Sequence, residues 1–346
     1  MEEKKTFRRA IMGWKLRSRT VELGRRTLVM GVVNITPDSF SDGGRFLDPE
    51  AAIAHGIRLL EEGADILDLG AESTRPGSRA GGAADSASAP AMPPPASHDR
   101  SPGTPAVSAE EEQARLLPVV EGILRARPEA IVSVDTYKAA TAQAALAAGA
   151  EIVNDVGGFS WDSRMGGVCA EAGCGLLLMH SRGRPEEWRT QAQLEPDELL
   201  ATVRMGLEAS LNKAVEAGIA PEAIVLDPGY GFGKRFGENF ALLARQSELL
   251  ALGRPLLAGV SRKSFLGRAL APLNGGVDAP VGARETASLA GMAAAILNGA
   301  SVVRVHAVRA SVEAAAIADA VAEGQQVCES AGPRVCGSKT AAGGHT

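Results

Sequence analysis

One pattern repeats eight times along the chain: a short run rich in Leu, Val and Ile, followed by a longer segment with helical signals. Strands that are apolar on both faces and alternate with helices pair in parallel, with the helices covering the sheet. Eight such units predict an α/β fold, a (β/α)8 TIM barrel in a single domain. A doubly wound open sheet is the alternative, because periodicity alone does not separate the two folds. The eight runs lie at residues 28–33, 65–69, 131–134, 152–153, 175–179, 224–226, 256–259 and 302–305.

Three segments fall outside this repeat. Residues 80–108 consist mostly of Ala, Gly, Ser and Pro, a composition that buries too little apolar surface to offset its chain entropy. We therefore predict a disordered, low-complexity insertion there, in the loop after strand two. We also predict an N-terminal extension at residues 1–26 and a flexible C-terminal tail at residues 326–346. The barrel would then span residues 27–325.

The charge balance argues against nucleic acid as a partner. Lys and Arg number 36 and Asp and Glu number 41, which gives a net charge of −5. A protein that binds nucleic acid mainly by neutralising phosphates needs a basic surface. A small anionic substrate needs only a local cluster of cations, so the balance does not exclude one.

The sequence also argues against a membrane or secreted protein. The longest uncharged apolar run, at residues 289–297, is too short to span a bilayer. The first five residues, MEEKK, lack the apolar region of a signal peptide. The four cysteines match no common zinc pattern, and reduced thiols are typical of cytosolic proteins. We expect a cytoplasmic protein.

Polar residues lie at or just after the ends of all eight predicted strands. In a TIM barrel these ends meet at one mouth, where the active site forms. One such residue can simply cap the next helix, but capping does not call for Lys, Arg and His. The polar residues are Asn34, Asp68, residues 72–75, Asp135, Asn154, Asp155, His180, Asp227, residues 261–264, Arg304 and His306.

The residue types in this set point to particular ligands. Arg75, Lys263, Arg304 and His306 suit phosphate, which barrels often bind near strands seven and eight. Carboxylates and an amide suit the hydrogen-bonding edge of a flat heterocycle. The amide oxygen of Asn34 suits Mg²⁺ that phosphate oxygens already hold.

The glycine-rich segment at residues 229–234, GYGFGK, has two misleading likenesses. It is one residue short of a P-loop, and Arg235 stands where a Ser or Thr should bind Mg²⁺. It also lacks the helix that a dinucleotide-binding motif would open. We interpret its glycines as allowing close backbone approach to a ligand.

Seven segments together resemble the bacterial dihydropteroate synthase family of pterin-binding enzymes. They occur in the family's order, and the resemblance covers roughly residues 27–323 apart from the insertion. The segments are MGVVNITPDSFSDGG at 30–44, ESTRPG at 72–77, SVDT at 133–136, ND at 154–155, LDPGYGFGK at 226–234, SRKS at 261–264 and RVH at 304–306.

The resemblance implies a transferase of folate biosynthesis (EC 2.5.1.15). It would couple 6-hydroxymethyl-7,8-dihydropterin pyrophosphate to p-aminobenzoate, giving 7,8-dihydropteroate and pyrophosphate. The implied cofactor is Mg²⁺, the implied assembly is a homodimer, and the second substrate's pocket would be a sulfonamide target.

The resemblance also implies a role for each matching residue. Asp135, Asn154, Asp227 and Lys263 would hold the pterin, and Asn34 would coordinate Mg²⁺. Thr74, Arg304 and His306 would bind phosphate oxygens. Phe40, Pro76, Phe232, Lys263 and Ser264 would border the p-aminobenzoate pocket. Asp135, Lys263 and Arg75 are the expected catalytic residues.

Two other functions stay open at this point. A methyltetrahydrofolate-binding methyltransferase shares the barrel but has no need for the loops at residues 34–40 and 74–75. An inactive relative with a binding role should have lost its loop residues, which are intact here. The insertion directly after residues 72–77 keeps the second alternative open, although its composition predicts a passive segment.

Overall fold

The chain forms a closed barrel of eight parallel strands. The computed structural model describes residues 9–35, 49–72 and 107–330, with side chains to residue 324. The strands of the barrel are β3 (Leu28–Asn34), β4 (Ile66–Gly70), β5 (Val132–Asp135), β6 (Ile152–Asp155), β7 (Gly175–Met179), β8 (Ile224–Asp227), β9 (Leu256–Ala258) and β10 (Ala300–Val305). They close in the order β10-β3-β4-β5-β6-β7-β8-β9, which confirms the TIM barrel over an open sheet.

Helices follow the strands and cover the outside of the barrel. They are α1 (Pro49–Glu61), α2 (Ala109–Ala126), α3 (Ala139–Ala147), α4 (Met165–Ala172), α5 (Pro196–Glu216), α6 (Phe236–Arg245), α7 (Ser264–Ala269), α8 (Glu285–Leu297) and α9 (Val308–Ser330). Within the described loops, short 3-10 segments lie at Pro221–Ala223, Gln246–Leu252, Ala271–Leu273 and Val281–Ala283. No helix within the described ranges is long and apolar enough to cross a membrane.

Two strands before the barrel form a hairpin that the sequence patterns did not indicate. β1 (Met12–Lys15) pairs antiparallel with β2 (Thr20–Leu23). Trp14 is 1% exposed, and its Nε1 donates to the Ala223 carbonyl at 2.8 Å. Leu16 packs where a side chain on Gly175 would collide with it, at 2.5 Å. The hairpin therefore seals one end of the barrel.

Side chains alternate between the inside and the outside of the barrel, as strand geometry requires. The outward-facing residues, such as Val29 and Leu67, join the helices in the largest apolar cluster. At the hairpin end, the inward-facing residues form a second apolar cluster with the hairpin. Its buried members are Trp14, Leu16, Leu23, Leu28, Met30, Ile66, Ile152, Leu177, Val225, Leu257 and Val302.

The predicted insertion and tail fall almost entirely outside the described residues. Of residues 80–108, only Val107 and Ser108 are described. Ser108 caps α2, because its hydroxyl accepts the Glu111 N–H at 3.1 Å. Helix α9 extends to Ser330, which lies within the residues predicted as tail.

Candidate active site

Arg304 and two carboxylates meet at the barrel mouth. Arg304 lies on β10, Asp68 on β4 and Asp135 at the end of β5. The guanidinium donates from Nε to Asp68 Oδ2 at 2.6 Å and from Nη2 to Asp135 Oδ2 at 2.7 Å. These are short, charge-assisted bonds. One cation is therefore shared by two carboxylates, which come from the neighbouring strands β4 and β5.

Asp68 is the centre of this network; the sequence placed it among the polar residues of the mouth but assigned it no binding or catalytic role. It is fully buried. Besides Arg304, it accepts Ser133 Oγ at 2.7 Å and Asn154 Nδ2 at 3.1 Å. Its signal in the sequence was its position two residues after the inward-facing Ile66, which puts both side chains on one face of β4.

Burial raises the pKa of Asp135 to about 7. Arg304 opposes the shift, whereas the neighbouring Asp68 carboxylate adds to it. A carboxyl group with this pKa changes its charge near neutral pH. The mouth therefore holds an acid that is sensitive to the charge of a bound ligand.

Lys263 and Asp227 form the second charged pair of the mouth. Burial lowers the pKa of Lys263 to about 8, and Asp227 opposes that shift. Burial also raises the pKa of Asp227, although Lys263 and the Gly229 N–H stabilise its carboxylate. Lys263 donates to the Tyr230 carbonyl, and its Nζ lies 4.5 Å from the centroid of the Phe232 ring.

Gly259, just after β9, lies where Arg304 approaches the pair of Asp227 and Lys263. A Cβ built on it would lie 3.8 Å from Arg304 Cβ, 3.9 Å from Asp227 Oδ2 and 3.9 Å from Lys263 Nζ. The absence of a side chain here leaves space between three of the predicted site residues. Sequence reasoning took Gly259 only as the end of a strand.

His306 and Ser264 also lie at this end of the barrel. His306 follows β10, and its Nδ1 is 2.9 Å from Ser261 Oγ in the loop after β9. Ser264 is the exposed first residue of α7, next to Lys263. The loops after β9 and β10 therefore bring a hydroxyl and an imidazole together beside the charged groups.

Asn34 is the exposed last residue of β3, paired in register with Gly70 of β4. It offers a single amide oxygen. Among the described side chains, no three His, Cys, Asp or Glu residues form a metal cage. The residues present fit a Mg²⁺ ion that takes most of its ligands from substrate phosphates and water.

Four predicted site residues lie outside the described residues: Phe40, Thr74, Arg75 and Pro76. Their assignments stay predictions from the resemblance.

Two polar residues at strand ends do not face the mouth. Asp155 accepts the N–H groups of Gly157 and Phe159, at 2.8 and 2.7 Å, and burial raises its pKa to about 6. His180 packs against α5, where a Cβ on Gly206 would lie 2.4 Å from its ring. Asp155 therefore bonds the backbone of its own loop, and the His180 ring lies between its strand and α5, outside the barrel interior.

The glycine-rich loop after β8 is neither a P-loop nor a dinucleotide-binding loop. Lys234 is buried and donates to the carbonyls of His180, Gly229 and Phe232, at 3.1, 2.8 and 3.3 Å. It serves the loop's own backbone rather than a phosphate. Gly229 has a φ of 69°, and a Cβ there would lie 2.0 Å from the His180 carbonyl oxygen. Close packing of two loops therefore requires this glycine.

The sequence of this chain is similar to those of known proteins. The pterin binding enzyme family matches residues 30–88 and 97–306. The dihydropteroate synthase of Mycobacterium leprae is 44% identical over 286 residues, which cover 83% of this chain and 90% of that protein.

Solved structures agree with the sequence relatives. A Yersinia pestis dihydropteroate synthase solved with a sulfonamide drug matches with a TM-score of 0.75 and 35% identity, over 90% of this chain and 100% of that one. A Xanthomonas albilineans dihydropteroate synthase solved with 4-aminobenzoic acid matches with a TM-score of 0.73 and 37% identity, over 90% and 98%. The chain belongs to the pterin binding enzyme family, among the dihydropteroate synthases.

Proposed function

We propose a mechanism in which the mouth of the barrel couples 6-hydroxymethyl-7,8-dihydropterin pyrophosphate to p-aminobenzoate, as a step of folate biosynthesis. The observation that carries it is the convergence of Arg304, Asp227 and Lys263 around Gly259. This arrangement surrounds a space with two cations and a carboxylate. Such a space suits a heterocycle that donates hydrogen bonds and carries an anionic leaving group.

The pterin is held by Asp135, Asn154, Asp227 and Lys263. A carboxylate accepts two parallel N–H bonds from an amino-pyrimidine edge, and Asp227 is a buried candidate for this role. Lys263 can donate to a ring carbonyl or nitrogen. Each of these side chains is already held by a neighbouring group, Asp135 by Arg304, Asn154 by Asp68, Asp227 by the Gly229 N–H and Lys263 by the Tyr230 carbonyl. Groups held in place before the ring binds favour it without large rearrangement.

The leaving group is held by cations at the other side of the site. Arg304 and His306 bind phosphate oxygens, and Thr74 and Arg75 complete this part of the site. Asn34 would hold Mg²⁺, which when bound neutralises the charge that develops on departing pyrophosphate. Arg304 can shift from its two carboxylates toward phosphate because all are acceptors for the same guanidinium.

The carbon–oxygen bond to pyrophosphate breaks first, which leaves positive charge on the pterin methylene carbon. The ring delocalises this charge, and the Asp135 carboxylate stabilises it. The p-aminobenzoate nitrogen then attacks the carbon and loses a proton to water. No protein nucleophile takes part.

The p-aminobenzoate pocket is bordered by Phe232, Lys263 and Ser264, together with Phe40 and Pro76. Support comes from the contact between the Lys263 ammonium and the Phe232 ring, which presents a cation beside an aromatic wall. A benzoate needs both features. The same pocket is the proposed sulfonamide target.

The reaction is tested by pyrophosphate release from purified protein with Mg²⁺ and both substrates. Omitting p-aminobenzoate should stop turnover, and chelating Mg²⁺ should slow it. Absence of release under the complete conditions would instead favour an inactive binding protein.

Lys263→Ala tests the site itself. We expect a rise in the KM of both substrates and a fall in kcat of about a hundredfold or more, because a charge-stabilising donor is lost. Lys213→Ala on α5 is the matched control, since Lys213 bonds only to Ser160 Oγ, at 3.3 Å, among the described contacts. Near-normal kinetics for Lys263→Ala would remove this residue from the mechanism.

We also propose that the protein is a cytoplasmic homodimer. Cys169 and Cys174 are free and buried, as expected in a reducing compartment. Ile317 and Val321 lie one turn apart on α9 and are 69% and 46% exposed, which supports an apolar interface. Ile317→Glu should shift the molar mass measured by light scattering from dimer to monomer, and a monomeric wild-type protein would contradict the proposal.

A further inference from the structure

The indole of Trp188 is locked in the loop between β7 and α5. Its Nε1 donates to Ser181 Oγ and to the Gly183 carbonyl, both at 3.1 Å, and the residue is 6% exposed. A buried indole with a satisfied N–H has a fixed ring orientation. None of the roles in the proposed mechanism falls on Trp188.

Trp188 packs edge to face with Phe232. The ring centroids are 4.9 Å apart and the planes meet at 78°, a geometry that aromatic quadrupoles favour. Phe232 lies between Gly231 and Gly233, which have φ values of 82° and 70°. The Phe232 backbone is held by hydrogen bonds from its N–H to the Gly229 carbonyl, at 3.2 Å, and from Lys234 Nζ to its own carbonyl. These bonds leave the side-chain torsions free, so the edge-to-face contact with the indole is one of the contacts that restrain the ring plane itself.

Phe232 in turn supports Lys263. The ammonium nitrogen lies 4.5 Å from the ring centroid, within the range of a cation–π contact. The Lys263 stem passes close to Gly231, where a Cβ would lie 3.3 Å from Lys263 Cδ. Trp188, Phe232 and Lys263 therefore form one chain of contacts that runs from a rigid loop to the charged group of the mouth.

We propose that Trp188 is a positioning residue for this enzyme. It fixes the ring plane of Phe232, so that the ring forms a wall of the p-aminobenzoate pocket and carries the Lys263 ammonium group. This inference rests on the proposed function, which assigns Phe232 and Lys263 to that pocket. Trp188 acts only through Phe232.

The charges around Lys263 give the inference a second readout. Asp227 and Asp135 stabilise the ammonium, Arg304 and burial destabilise it, and the Tyr230 carbonyl accepts a hydrogen bond from it. Loss of the fixed ring face removes one further stabilising contact. The pKa of Lys263 should then fall, which moves the alkaline limb of the pH–activity profile to lower pH.

The test is steady-state kinetics of Trp188→Phe and Trp188→Leu. We expect the KM for p-aminobenzoate to rise by about threefold to tenfold. The KM for the pterin substrate should rise less, because Phe232 borders only the p-aminobenzoate pocket whereas Lys263 also holds the pterin. The alkaline limb should move to lower pH in both variants. Trp14→Phe is the matched control, because it also removes a buried indole whose Nε1 is bonded but lies at the sealed end of the barrel.

The control separates positioning from stability. Trp14→Phe should lower Tm without changing either KM or the pH profile. If the Trp188 variants behave in the same way, Trp188 only stabilises the fold and the inference is wrong.

Phe232→Ala separates failure of the inference from failure of the proposed pocket. If Phe232→Ala leaves the KM for p-aminobenzoate unchanged, the pocket assignment is wrong and the inference falls with it. If Phe232→Ala raises this KM but the Trp188 variants do not, only the inference is overturned. Adding Trp188→Phe to Phe232→Ala should have little further effect, since the intermediary is gone; additive losses would contradict the proposed chain of contacts.

Discussion

The two ends of the barrel interior are built by the same strands, yet one is apolar and the other is charged. Ile66 and Val302 belong to the sealed apolar end, and two residues further along each strand stand Asp68 and Arg304, which bond to each other. The contrast separates two tasks. The apolar end supplies burial that stabilises the fold, and the mouth holds buried charges that cost stability and that the proposed mechanism uses to bind the substrates.

Arg304→Met should show the largest effect, because it removes the cation shared by two carboxylates at the mouth. We expect activity to fall by about a thousandfold. We also expect the free energy of unfolding to fall by about 3–5 kcal/mol, since the buried Asp68 keeps its neutral donors Ser133 and Asn154 but loses the only cation that pairs with it among the described residues. Kinetics and urea unfolding measure the two effects; a fully active variant would show that the shared cation has no catalytic use.

Trp14→Ala is the corresponding change at the sealed end. Loss of a buried indole should lower the free energy of unfolding by about 3–5 kcal/mol. The kcat of the folded fraction should be unchanged, because the hairpin lies far from the mouth along the strands. A large fall in kcat at temperatures where the variant is folded would show that the two ends are not independent.

The pH dependence of kcat/KM of the wild-type protein tests the charged groups of the mouth without any mutation. In the proposed mechanism Asp135 acts as a carboxylate, so activity should rise through its pKa of about 7. Lys263 acts as an ammonium group, so activity should fall through its pKa of about 8. The profile of kcat/KM should peak between these values and drop by up to about tenfold per pH unit outside them.

Lys263→Arg identifies the group behind the alkaline limb. Arginine stays protonated, so residual activity of this variant should lack the alkaline limb. Retention of the limb would assign it to another group.

Arg309→Met should have the smallest effect, and it controls for the loss of an arginine. Arg309 pairs with Glu313 at 2.8 Å on α9, with both side chains largely exposed. An exposed pair of this kind contributes about 0.5 kcal/mol. The free energy of unfolding measured in urea should lie within that margin of the wild-type value, and the kinetics should be unchanged. A larger loss of stability would show that exposed ion pairs contribute more to this fold than expected.

The strands and helices could be predicted because their signals are local. An apolar run of residues marks a buried strand, and a Ser three residues before a Glu, as at Ser108 and Glu111, marks the start of a helix such as α2. The hairpin of β1 and β2 was not predictable in this way. Its strands have four residues each, and their burial depends on strands far along the chain.

The residues near the site could be predicted from the sequence, but the direction in which each side chain points could not. Asn154 and Asp155 are neighbours on β6 and point to opposite sides of the strand. Asn154 bonds Asp68 inside the barrel, whereas Asp155 bonds the backbone of its own loop. His180 is likewise turned toward α5. Whether a side chain points into or out of the barrel depends on the strand register, and an error of one residue in the register reverses the direction of every side chain in the strand.

The hairpin also sets the order in which this molecule can be completed. Trp14 bonds a carbonyl 209 residues away, and Arg9 bonds Asp319 across 310 residues. Contacts that are so distant in sequence form late and slow folding. During synthesis the start of the chain must therefore wait, undocked, until most of the barrel has left the ribosome. Burial of Trp14 would then report the final closure of the molecule rather than its early collapse.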